Sequence, residues 1–145
     1  MGGIFNNITL ESMGKALDGA ALRQKVIANN LANADTPNYK AMEVTFEDEL
    51  KKAIDSSVKK SPGSEIKLSL TNSKHISINT SNQVNMVEPN INVLEDLSLR
   101  NDKNNVDVDR ETSKLTKNEI FYDTVTRLIN DEFQMLKLVI SEGKR

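Results

Sequence analysis

Both ends of this chain carry apolar residues at alternating spacings of three and four, and that pattern leaves few folds open. From about Thr9 to Ala34, the positions Leu10, Met13, Leu17, Ala20, Gln24, Ile27 and Leu31 form a heptad seam with one polar interruption. Ala16, Ala21 and Ala28 widen the stripe, while Gly14 and Gly19 allow close approach of another backbone. Thr9 is placed to cap the start, with Glu11 in the favourable first turn. A helix of roughly 25 residues is about 38 Å long, which suits a bundle or coiled coil better than a small isolated globule.

The segment from about Asp109 to Glu142 is the counterpart. Leu115, Tyr122, Val125, Ile129, Leu136 and Val139 keep the three-four spacing if Asn118 and Glu132 are counted as polar seam positions. Phe121, Leu128, Phe133, Met135, Leu138 and Ile140 spread apolarity further around the cylinder. A stripe this wide implies more than one packing neighbour. Gly143, followed by Lys144 and Arg145, suits a helix end and its dipole.

The middle differs in texture. Thr45 to about Ser56 reads as a short helix with Phe46, Leu50 and Ile54 on one face. A turn is expected at 61–64, and short alternating strands at 66–70 and 75–79. Residues 80–105 are rich in Asn, Asp and Ser, so a largely irregular or extended stretch is expected. Core material is thin across the 145 residues: 37% are hydrophobic, with four phenylalanines, two tyrosines and no tryptophan. Long helices packed on neighbours need mainly aliphatic residues, so this composition favours them over an aromatic-rich globule.

The most unusual stretch is Ile27 to Ala41, where Asn29, Asn30 and Asn33 fall within five positions of a helix. Asparagine side chains compete with the backbone for hydrogen bonds, so such a run is costly inside a helix. Pro37 pushes Thr36 out of the α region, and the helix should stop by about Ala34 or Asp35. Simple fraying before Pro37 is one account of these amides. Amides held against other backbones in a packed environment is the other.

The Asn30-Leu31-Ala32-Asn33 run leading into Thr36-Pro37-Asn38-Tyr39-Lys40 resembles the N-terminal signature of the bacterial flagellar basal-body rod proteins. A second match is Asn104-Asn105-Val106-Asp107-Val108-Asp109-Arg110-Glu111, and a weaker one is Thr71 to Ile76. The terminal matches cover about half the chain, and its length and motif order are most similar to the short proximal-rod members. The resemblance implies a mainly α fold. Long N- and C-terminal helices (residues 1–40 and 106–145) would pair as an antiparallel coiled-coil hairpin, one discontinuous domain around a small irregular, β-containing middle at 41–105. It also implies assembly by lateral burial of apolar stripes, with termini that are poorly ordered beforehand.

On that reading the N-terminal interaction residues are Leu17, Gln24, Ile27, Asn29, Asn30, Leu31, Asn33, Pro37, Tyr39 and Lys40. Those of the C-terminal part are Asn105, Asp107, Val125, Leu128, Ile129 and Leu136. Gln24 is either a solvated edge position or a polar register-setter, and Tyr39 is either exposed or an anchor on a neighbouring subunit. The implied partners are further copies, other rod proteins, the basal-body adaptor protein at the rod base, and the flagellar export gate. Two rivals stand beside it: another short axial subunit, and a cytoplasmic coiled-coil adaptor or chaperone that merely shares the heptads.

Charge and chemistry narrow the field. A formal charge of −2 gives no electrostatic case for nucleic acid or an acidic membrane. The absence of cysteine removes disulfides, thiolate metal sites and cysteine nucleophiles. His75 is the only histidine, and no nucleophile groups with a base and an orienter, so neither catalysis nor a cofactor is expected. Asp107-x-Asp109-x-Glu111 has Thr112 and Asn118 where a calcium loop needs glycine and glutamate, so it reads as a helix start. Residues 1–7 lack a signal peptide's basic and apolar regions, and Asn6 stands where myristoylation wants Ser or Thr. No run of about 18 apolar residues exists, so no membrane insertion is expected. These features alone read as cytoplasmic. The resemblance instead implies a basal-body location, reached through type III export without a cleaved signal.

Overall fold

The computed structural model describes residues 8–58, 83–95 and 101–142. Two long helices dominate: α1 (Ile8–Ala32) and α3 (Val108–Glu142). Between them come β1 (Met42–Thr45), α2 (Glu47–Val58), a 3₁₀ turn at Gln83–Met86, and β2 (Asn90–Val93). The turn expected at 61–64, the strands expected at 66–70 and 75–79, His75 and the Gly143 helix end lie outside the described residues.

α1 and α3 pack as an antiparallel hairpin. Asn118 lies opposite Ala20 and Glu111 opposite Asn30, so moving towards the C-terminus on α3 moves back along α1. The 35 residues of α3 span about 52 Å against about 38 Å for the 25 of α1. By this register Ile8 is level with about residue 130, and the last dozen residues of α3 run past it.

The inward face of α3 follows the expected three-four spacing except at Tyr122 and Val139, which are exposed. Glu111, Asn118 and Val125 are buried, and Leu115, Ile129, Glu132 and Leu136 are half-buried. On α1 the buried face is rotated from the expected seam. It comprises Ala16, Gly19, Ala20, Val26, Ile27 and Asn30, with Leu17 and Leu31 at its edge. The physical reason is a second neighbour, since α1 packs on α3 along one side and on β1 and α2 along another. Gln24 is exposed and sets no register within the hairpin. Helix starts also differ: α1 begins one residue before Thr9, which therefore lies inside the first turn.

The apolar core sits where α1 meets the middle segment. Val44, Phe46, Leu50, Ala53, Val84 and Val87 close over Ala16 and Val26, and Val125 reaches in from α3. The face expected on α2 is the one that packs, with Ile54 half-buried at its edge. β1 and β2 form an antiparallel pair, from Met42 opposite Val93 to Thr45 opposite Asn90. The expectation of an extended stretch over 80–105 holds at 90–93; β1 was not anticipated, because four residues give too short a run to show a period of two.

Phe46 is the keystone of this core. It is buried against Gly19, where an added Cβ would lie 2.7 Å from ring carbons. The close approach at Gly19 is thus to an aromatic ring of the same chain. The Arg23 guanidinium covers the ring 4.9 Å from its centroid, pairs with Glu47, and donates to the Val44 carbonyl at 3.1 Å. Among the described residues nothing lies within 4 Å of a Cβ added at Gly14.

These two glycines should therefore respond oppositely to alanine. Gly19→Ala forces the buried ring to move and should destabilise the fold by about 1–3 kcal/mol. Gly14→Ala should stabilise it by about 0.5–1 kcal/mol through helix propensity. Urea denaturation followed by circular dichroism checks both; equal effects would contradict the packing at Phe46.

Candidate assembly site

The two motifs singled out in the sequence, some seventy residues apart, meet in space. At their centre is Asn30, fully enclosed at the last turns of α1. Its Nδ2 donates to the Met42 carbonyl at 2.8 Å and to Glu111 Oε2 at 2.9 Å. Its Oδ1 accepts from the Met42 amide at 3.0 Å and from the Tyr39 hydroxyl at 3.2 Å. Both amide hydrogens and both lone-pair sites are taken, which is the full capacity of the group. One side chain thereby ties α1 to β1, to the signature loop and to α3.

Glu111 completes the arrangement from the first turn of α3. Its carboxylate is 3% exposed and receives Lys114 Nζ on Oε1 at 2.9 Å, while Lys114 also reaches Glu43 of β1 at 3.5 Å. A buried carboxylate is tolerable only with such partners. Tyr39 is pushed above its ordinary value of 10.0, first by burial and then by the Glu111 charge.

Asn104 and Asn105 do the complementary work at the end of α1. The carbonyls of the turn after Ala32 need donors once the chain folds over them. Asn104, 1% exposed, shares its two amide hydrogens among the carbonyls of Asn33 (2.9 Å), Ala34 (3.0 Å) and Thr36 (2.9 Å). Its own Oδ1 accepts from the Val106 amide at 2.7 Å. Asn105 accepts from the Ala41 amide at 2.7 Å and donates to the Leu94 carbonyl at 2.9 Å. Asn38, in the left-handed region at φ 62°, donates its amide to the Asp102 carbonyl, and Lys40 Nζ reaches the Lys103 carbonyl. Asp107 caps α3, accepting from the amides of Asp109 and Arg110 at 3.0 and 3.1 Å.

Several expectations are corrected by this geometry. The hydrogen bonds of Asn30, Tyr39 and Asn105 described above lie within the chain, whereas the sequence left Asn30 between a fraying helix end and a packed amide, and Tyr39 between exposure and an anchor on a neighbouring subunit. Asn33 is a local device: its Nδ2 bonds the Asn29 carbonyl and Oδ1, and its Oδ1 accepts from Thr36. Regular α1 ends at Ala32, within the stop expected ahead of Pro37, in a turn whose carbonyls Asn104 collects. Asn29 and Pro37 are exposed and enter none of the bonds between the two motifs. Ile27, Val125 and, less fully, Ile129, Leu17, Leu31 and Leu136 belong to the hairpin interior. Asn104, Glu111 and Asn118 were not singled out as site residues. An asparagine pair just before a helix start was the one local hint, since such side chains bond nearby backbone.

Set against this satisfied polar clasp is an unsatisfied apolar flank. Leu128 is 47% exposed, and Ile120, Phe133, Met135, Leu138, Val139 and Ile140 are more exposed still. Leu128 is thus the one residue of the expected interaction set that presents a large apolar side chain to solvent.

The sequence profile of the family described as "Flagella basal body rod protein" matches residues 10–40. Over longer spans the chain is similar to the flagellar basal body rod protein FlgB of Bacillus subtilis (strain 168), with 34% identity over 94% of this chain and 95% of the relative. Similarity to FlgB of Borrelia hermsii is 39% identity over 86% and 89%. For FlgB of Escherichia coli (strain K12) it is 31% over 89% and 90%.

The clasp generates two expectations. Asn30→Leu strands the Met42 amide and carbonyl and the Glu111 carboxylate, at about 1–3 kcal/mol for each group left unsatisfied. Asn33→Leu loses only exposed local bonds and should change stability by under about 1 kcal/mol; urea titration of both variants checks the contrast. Tyr39 is held neutral in the folded state, so its contribution is complete below pH 10 and is lost as pH rises through its raised folded value. The stability difference between wild type and Tyr39→Phe should therefore stay constant up to about pH 10 and narrow above it. A constant difference would show that the phenol does not titrate in the clasp.

Proposed function

Because this chain belongs to the FlgB family of flagellar basal body rod proteins, and is a structural subunit of the proximal rod, we propose that it assembles through the apolar flank of α3. The carrying observation is the run of large apolar side chains exposed on that helix from Ile120 to Ile140. A single chain satisfies the buried amides of Asn30 and Asn104 internally, yet among the described residues it leaves this flank exposed. Burial of each such side chain contributes about 1.5–3 kcal/mol, and a lattice repeats that gain in every copy. On this reading the same flank meets a different surface on the next copy by a rotation that does not close a ring, so growth continues along an axis.

Neighbouring copies and other rod proteins are the occupants of that flank on this reading. The basal-body adaptor protein at the rod base and the export gate are the further partners, contacted at the start of assembly and during export. The subunit works in the cell envelope, in the periplasmic part of the rod, and reaches it by type III export without a cleaved signal. Among the described residues no helix is long and apolar enough to cross a membrane, which fits a shaft component held by protein contacts.

Leu128→Asp tests the proposal cleanly, because Leu128 is 47% exposed and its loss removes little from the monomer's own core. In an assembled rod the charge would be buried without a partner, costing several kcal/mol per contact. The variant should fold with wild-type circular dichroism and accumulate normally, yet be missing from purified basal bodies and leave cells non-motile. Wild-type incorporation would show that this flank is not a packed interface.

A further inference from the structure

Midway along the hairpin the seam of α3 is interrupted by Asn118, 3% exposed among otherwise largely apolar seam residues. Its Nδ2 donates to the Ala20 carbonyl at 2.9 Å, while its Oδ1 is enclosed and meets no donor among the described residues. An amide satisfied on only one side is a poor stabiliser, since a leucine at 118 would be buried without leaving a polar atom unpaired. The residue's effect is therefore to be sought in the difference between possible partners.

We propose that Asn118 makes α3 select α1 of its own chain as its partner and reject another α3. A side-chain amide reaches a carbonyl of a facing helix only where the covering side chain is very small. α1 supplies that place with Ala16, Gly19, Ala20 and Ala21, and Ala20 itself is fully enclosed. α3 contains no alanine and no glycine along its 35 residues. Paired with another α3 in any register that does not set two Asn118 amides against each other, Asn118 would face longer side chains that hold the opposing backbone away, and its whole amide would be buried without partners. A single buried asparagine in a helical seam is a well-attested means of fixing partner and register at some loss of stability. Its importance rests on the rod reading, in which many copies of α3 with exposed apolar flanks are brought together. The selection itself is a property of the isolated chain and is tested there.

The chain has no cysteine, so a pair can be introduced cleanly. Leu17 lies one turn before Ala20 and Tyr122 one turn after Asn118, which places them level across the hairpin. Full-length protein carrying Leu17→Cys and Tyr122→Cys is oxidised and separated on a non-reducing gel, with Asn118, Asn118→Leu or Asn118→Ala in the background. With Asn118 the expected product is mainly an internally cross-linked monomer. With leucine, covalent dimer should rise several-fold while the thermal midpoint stays level or increases. Alanine carries the test if the leucine variant does not fold. An unchanged monomer-to-dimer ratio in the folded variants overturns the proposal. So does a rise in dimer with a fall in midpoint in both, because an opened hairpin cross-links without any choice of partner. Neither outcome bears on Leu128→Asp, so this inference and the assembly reading fail separately.

Discussion

A turn folded into the body of a chain must find donors for its carbonyls, and this molecule is organised around that requirement in the turn that follows α1. Asn104, arriving from more than sixty residues downstream, provides them for Asn33, Ala34 and Thr36. Asn30 does the equivalent for the backbone of Met42 while holding Glu111. Once these bonds are made, β1 is placed on α1, Phe46 is delivered to Gly19, and the start of α3 is set against the end of α1. Buried amide networks of this kind are costly when half made, so they specify one arrangement more sharply than apolar packing can.

The apolar part of the structure has the opposite character. Its core is assembled from small and medium side chains, with Phe46 as the one buried aromatic among the described residues, and it lies to one side of the hairpin. Many other large residues of α3, among them Ile120, Leu128, Phe133 and Met135, are left exposed. In a self-sufficient domain that exposure would be a liability to aggregation; in a shaft subunit it is the surface on which neighbours pack. Polar groups thus secure the subunit's own shape, and apolar groups join one subunit to the next. The separation is physically sensible: amide geometry is exacting and suits a fixed internal site, whereas an apolar stripe tolerates the small displacements between repeated copies.

Asparagines occupy three distinct roles that their identity alone does not distinguish. Asn33 ties off its own helix, Asn30 and Asn104 bridge segments far apart in sequence, and Asn118 sits in the hairpin seam with one side of its amide unpaired. The differences arise from burial and from what stands opposite. Asn29, one position before Asn30, points to solvent and only accepts a local bond from Asn33. A rotation of about 100° along the helix separates the exposed amide from the enclosed one.

Periodicity and turn chemistry were enough to determine the two long helices, the α2 face carrying Phe46 and Leu50, the helix stop ahead of Pro37, and the inward positions of α3 from Leu115 to Leu136. These follow from local rules, in which a side chain's direction is set by its own backbone. The rotated face of α1, the exposure of Gln24, and the pairing of the Asn30 motif with the Asn104–Glu111 motif were decided only in the tertiary structure. The reason is that a hydrogen bond between residues eighty positions apart leaves no periodic trace in either segment. A stretch such as Asn30 to Asn33 shows that amides are present at unusual cost. What they bond to depends on which part of the chain folds back over them.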